Sequence, residues 1–98
     1  MSAHIDEYIF EILMKDLVGH DKQPSAFLVY LYLWYETHGK KRNLVDMSLQ
    51  ELAACTGLSK SSVQSAIKVL KRRRLIEVRL ETRTSIPQYR LLKTWNNS

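Results

Sequence analysis

Cysteine is nearly absent: Cys55 stands alone, so no intrachain disulfide can staple the chain. The three histidines, His4, His20 and His38, are far apart, and no pair has the spacing of a zinc site. Glycine occurs three times and proline twice, with no glycine-rich phosphate loop and no nucleophile elbow. These absences leave no cofactor, no metal and no catalytic residue to name, and an enzyme is not expected. The longest apolar run, from Ala26 to Tyr35, is far too short to cross a bilayer. The start of the chain shows no basic stretch followed by an apolar core and a small-residue cleavage site. A cytoplasmic protein that does not engage the membrane is therefore the expectation.

What is present is positive charge, unevenly placed. The 98 residues carry a formal net charge of +5. Residues 1–39 hold two cations against six carboxylates, net −4; residues 40–98 hold the other thirteen cations against four, net +9. A chain of this length, 45% hydrophobic and 26% charged, forms one small domain with a limited core. Its basic half has the footprint of a nucleic-acid binder, though a membrane surface or an acidic protein would also suit it.

Within that half, residues 48–75 read as two helices joined by a tight turn. Ser48 and Glu51 make a capping box, with Met47 and Leu52 placed as its hydrophobic staple. Ser59 is a second N-cap, with Leu58 and Val63 as the staple pair. Between the helices, Gly57 can turn the chain through a left-handed conformation without a Cβ penalty. Leu49, Leu52, Ala53 and Thr56 share one face of the first helix, and Val63, Ala66, Ile67 and Leu70 one face of the second. The rest of the second helix is Lys60, Ser61, Gln64, Ser65, Lys68, Lys71 and Arg72, short and polar first, then cationic. Such a surface suits a DNA major groove, with hydrogen-bonding side chains at base edges and cations at phosphates.

These features resemble the helix-turn-helix of winged-helix DNA-binding proteins, especially the GntR and MarR types and the small initiator domains of phages and plasmids. The matching residues are Ala53, the turn Gly57-Leu58-Ser59, Val63, and Leu70 followed by Arg74-Leu75-Ile76. The resemblance covers residues 45–92, about half the chain. It implies a mainly α fold with a small β-hairpin: two N-terminal helices, the helix-turn-helix and a C-terminal wing. Residues 1–98 then form a single domain, with 1–39 supplying core and a possible dimer surface, and 44–92 the helix-turn-helix and wing.

The remaining segments fit that plan. The pattern predicts a first helix over about residues 5–18, its stripe formed by Ile5, Tyr8, Ile9, Ile12, Leu13 and Leu17, with Phe10 and Met14 beside it. A loop follows over 19–23. Pro24 opens a second helix that is apolar on nearly every face from Phe27 to Tyr35 and ends at Gly39. Two readings stand for that surface: cover by a second copy of the chain, shared with the Phe10–Met14 flank, or ordinary core with tyrosine hydroxyls reaching solvent. Lys40-Lys41-Arg42-Asn43 is a basic loop, read as solvated or, alternatively, as touching a flanking DNA phosphate, and Leu44-Val45-Asp46 is a short strand for the wing to pair with. Ile76, Val78 and Leu80 alternate with Glu77, Arg79 and Glu81 as a half-buried strand. Pro87, Tyr89 and Leu91 share a face of the returning strand, which Pro87 confines to an edge or marks at its start. Lys93 to Ser98 reads as a frayed tail, except that Trp95 should pack on something.

The leading function is sequence-specific binding of double-stranded DNA by a transcriptional regulator, as a homodimer, through a recognition helix over about 59–74 and the wing. The residues assigned to DNA are Ser59, Lys60, Ser61, Ser62, Gln64, Ser65, Lys68, Lys71, Arg72 and Arg73, with Arg83 at the wing tip for a minor groove. The basic run from Lys71 to Arg74 also complements the helix dipole, which is compatible with phosphate contact. A replication-initiator module needs the same helix and stays open. A winged helix used for protein interaction is the rival, disfavoured by the polar face. Cys55 reads as a small, partly buried residue, with a redox role as the alternative. No residue names an effector.

Overall fold

A computed structural model describes residues 5–82 and 85–92. Asp6 starts the N-terminal helix: its carboxylate accepts the Tyr8 N–H at 2.9 Å, and its carbonyl accepts the Ile9 N–H at 3.0 Å. This helix is wound with i→i+5 hydrogen bonds, as two π segments, Ile9–Leu13 and Lys15–His20, joined through Met14. Ile9, Leu13 and Leu17 are its buried stripe. Ile12, expected in that stripe, is 41% exposed. Angular positions counted at 3.6 residues per turn do not hold along a wider winding. Gly19 and His20, expected in the loop, are helical; the turn is made by Lys22 at φ 54°.

Helix α1, Pro24–Trp34, carries Pro24 in its first turn and continues as a π turn, Tyr35–Gly39. Ala26, Phe27, Val29, Tyr30, Leu33 and Trp34 are buried, so most of this apolar helix is ordinary core. Only Leu28 and Tyr35 of the run are exposed among its large apolar residues. Glu36 and Thr37, in the π turn, are buried polar groups with partners. The Thr37 hydroxyl donates to the Leu33 carbonyl at 2.8 Å. The Tyr32 hydroxyl donates to Glu36 at 2.6 Å, and Lys40 pairs with Glu36 at 3.0 Å. Burial opposes ionisation of Glu36, but Tyr32, Lys40 and Arg42 outweigh it and hold the carboxyl below its usual value.

Strand β1 is Val45–Asp46; helices α2, Leu49–Thr56, and α3, Lys60–Arg72, follow, then strands β2, Ile76–Arg79, and β3, Gln88–Leu91. The sheet order is β1-β3-β2, antiparallel throughout, with Val45 opposite Tyr89 and Val78 opposite the same residue on the other side. The returning strand is therefore central. Pro87 sits just before it, where its missing N–H breaks no ladder bond, and its carbonyl accepts the Met47 N–H at 3.2 Å. Tyr89 is buried at the centre of the sheet, and burial pushes its hydroxyl up to about 12. α1 packs chiefly on α3, whose Val63, Ala66, Ile67, Val69 and Leu70 are buried. The helix-turn-helix and the sheet are thus mounted on one apolar helix.

Candidate nucleic-acid interface

The site begins with two caps. Ser48 Oγ accepts the Glu51 N–H at 3.0 Å, and Glu51 Oε1 accepts the Ser48 N–H at 3.0 Å, which closes the capping box. Gly57 ends α2 at φ 80°, and its N–H donates to the Ala53 carbonyl at 2.9 Å. Ser59 then caps α3: its Oγ accepts the Ser62 N–H at 3.1 Å. The same oxygen lies 3.2 Å from Ser61 Oγ and 2.9 Å from Ser62 Oγ, so three hydroxyls cluster where the helix N–H groups are free.

Burial of Val63, Ala66, Ile67 and Leu70 turns the other side of α3 outward. Ser59, Lys60, Ser61, Gln64, Ser65, Lys68, Lys71 and Arg72 are all exposed, and Ser62 is half-buried. Among the described residues, Lys60, Lys68, Lys71 and Arg72 pair with no carboxylate. A polar face with unpaired cations is chemically suited to bases and phosphates.

Arg73 is placed differently. Its Nε donates to Asp21 at 2.9 Å, and its Nη2 lies 3.8 Å from Asp16, so it ties the end of α3 to the N-terminal helix. Asp21 is held below its ordinary value, first by the hydrogen bond with His20 and then by the charge and hydrogen bond of Arg73. Arg74 has φ 58° and supplies the left-handed turn after α3.

The wing adds residues that periodicity alone misses. Thr82 N–H donates to Ser85 Oγ at 3.0 Å, and the Ser85 N–H to the Thr82 carbonyl at 3.2 Å, which pinches the hairpin loop. Arg83 lies outside the described residues, as do Lys93 to Ser98 with Trp95. Leu80, expected to face the core, is 53% exposed because β2 ends at Arg79; Ile86 is 58% exposed. Both line a groove that also includes Lys60, Gln50 and Ser48. Two exposed aliphatic side chains therefore stand beside the start of α3.

Cys55, expected partly buried, is exposed. Among the described residues, no group of histidine, cysteine and carboxylate side chains could hold a metal ion, and no helix is long and apolar enough to cross a membrane.

A helix-turn-helix followed by a hairpin whose central strand also pairs with a strand ahead of α2 defines a winged helix. A model of the MarR family matches residues 36–91, from the end of α1 to the end of the sheet. The chain belongs to that family and is a winged-helix transcriptional regulator. No curated protein and no solved structure matches it.

Proposed function

We propose that this regulator binds double-stranded DNA of a particular sequence, as a homodimer, with α3 in the major groove. The observation that carries the reading is the exposed face of α3, polar at its start and holding cations without carboxylate partners. The thirteen residues of α3 span about 20 Å, enough to lie along a major groove about 12 Å wide. In this reading Ser61, Gln64 and Ser65 meet base edges, and Ser59 and Ser62 sit at the helix start, where N–H groups favour a phosphate. Lys60, Lys68, Lys71 and Arg72 contact phosphates. Arg83 serves the minor groove from the wing tip. Leu80 and Ile86 supply apolar contact beside it, as aliphatic side chains do with sugars and thymine methyls. Arg73 stays with Asp21 and Asp16, so its share in phosphate binding is the smallest of the cluster.

The dimer reading rests on the N-terminal helix. Phe10, Met14 and Val18, four residues apart, are each about two-fifths exposed on the flank of the buried stripe. Phe10 also meets Phe27 edge-on, at 6.4 Å between ring centroids, so one side of its ring is packed and the other open to a partner.

Titration of the chain against DNA selected from a random pool, between 50 and 200 mM salt, tests the reading. Contact with about four phosphates gives a log–log slope near −3.6. Lys68→Ala lowers its magnitude by about one. A flat response would rule out phosphate-led binding.

A further inference from the structure

Away from the wing tip, a cleft of about 540 Å³ opens between the π turn that ends α1 and strand β3. Thr37, His38, Lys41, Arg42, Asn43 and Arg90 line it. The two nearby carboxylates are already taken: Glu36 pairs with Lys40 at 3.0 Å, and Glu77 with Arg90 at 3.1 Å. Lys41 and Arg42 have no carboxylate partner among the described residues.

Nor are these two side chains needed to close the helix. The Arg42 N–H donates to the Thr37 carbonyl at 2.6 Å and the Lys41 N–H to the His38 carbonyl at 3.3 Å, so backbone groups do the capping. Lys41 takes φ 56°, which turns the chain sharply at the cleft. Two exposed cations thus stand, on a fixed backbone, at a concave surface of the size that small ligands fill. Asn43 adds an exposed amide that suits hydroxyls, while Thr37 is buried with its hydroxyl donated to the Leu33 carbonyl and only forms the floor. The His38 ring, stacked on Trp34 at 3.9 Å and 8°, gives the cleft one fixed wall.

The cleft lies away from the wing tip. Arg90 is four residues from Ile86, about 13 Å along an extended chain, toward the opposite end of the sheet. We propose that it binds a phosphorylated small molecule of nucleotide size, the phosphate meeting Lys41, Arg42 and Arg90. A phosphate monoester carries a charge of about −1.5 to −2 at pH 7, which Lys41, Arg42, whose charge also acts on Glu36, and the Glu77-shared Arg90 match.

The site stands independently of the DNA reading, and one experiment separates the two. Adenosine 5′-monophosphate and adenosine are titrated into the isotopically labelled full chain, followed by amide resonances. The monophosphate should shift residues 37–43 and 90–91, and adenosine should leave them in place. Lys41→Gln and Arg42→Gln should each weaken that binding by about tenfold, since each removes a charge-assisted hydrogen bond. Lys41→Arg should retain it. Thermal unfolding at the wild-type midpoint shows that a loss is not misfolding. No shift at millimolar monophosphate, or equal shifts with adenosine, would overturn the proposal. So would a loss of DNA affinity in Lys41→Gln/Arg42→Gln as large as in Lys68→Ala, which would assign the patch to the backbone of a bound duplex.

Discussion

Replacing Arg74 by glycine should stabilise the protein. Arg73 ends α3, and Arg74 follows in the left-handed region at φ 58°. The Arg74 N–H donates to the Lys71 carbonyl at 3.0 Å and the Leu75 N–H to the Leu70 carbonyl at 2.9 Å. Those two bonds, with Leu70 and Leu75 both buried, make a Schellman ending. Its left-handed position usually holds glycine, because a Cβ there costs roughly 1–2 kcal/mol. Glycine would remove that cost but widen the unfolded ensemble, which takes back about 0.4–1 kcal/mol. The net gain is about 0.5–1 kcal/mol, or roughly 2–8 °C in the midpoint for a domain of this size. Thermal and urea unfolding followed by circular dichroism would measure it, with an unchanged urea slope. Arg74→Ala keeps the Cβ and should show no such gain. A lower midpoint for Arg74→Gly, or equal gains for glycine and alanine, would refute the backbone argument. Gly57→Ala is the mirror test. Its φ is 80° and a Cβ there would meet open space, so only the backbone penalty operates. It should cost about 1 kcal/mol.

Acid should weaken the fold from about pH 4.5 downward. Asp21 and Glu36 are held below their ordinary values of 3.8 and 4.5, so the folded state binds fewer protons there than the unfolded. Their contribution is complete above those values and is lost as pH falls through the lower folded ones; Glu36→Gln should flatten the pH dependence of urea unfolding, and an unchanged dependence would deny the carboxylate that role. Ser61→Ala and Gln64→Ala should change sequence preference by about 1–3 kcal/mol at one base pair while leaving the salt slope alone; loss of affinity across all sequences alike would mean that α3 is docked some other way. Met14→Glu, on a side chain already 39% exposed, should convert a dimer mass in light scattering to a monomer mass with little change in monomer folding. An unaltered mass would remove the N-terminal helix from the interface.

What could be read from the sequence was what is encoded locally. Ser48 and Glu51 specify their own capping box, Ser59 its own cap, and Gly57 its own turn, because each motif spans four residues or fewer. The alternation from Ile76 to Val78 gave the wing strand, and the short strand before α2 followed from its expected pairing. The failures lie where tertiary context decides. The N-terminal helix keeps its buried stripe but winds more widely, so Ile12 turns to solvent. Leu80 continues the alternation past the point where the sheet leaves the core.

The basic run after Leu70 shows the limit most clearly. As sequence, Lys71, Arg72, Arg73 and Arg74 form one cationic cluster, and nothing local distinguishes its members. In the fold they have three different situations. Lys71 and Arg72 are exposed without carboxylate partners. Arg73 is bound to Asp21, fifty-two residues away in the chain. Arg74 carries the left-handed turn into β2. Net charge therefore overstates what the end of α3 can offer an anion. The acidic N-terminal segment spends part of its charge on Arg73, which anchors the helix without covering the polar face. The charge asymmetry between the two halves of the chain is in this respect structural, since the negative half holds α3 by its far end.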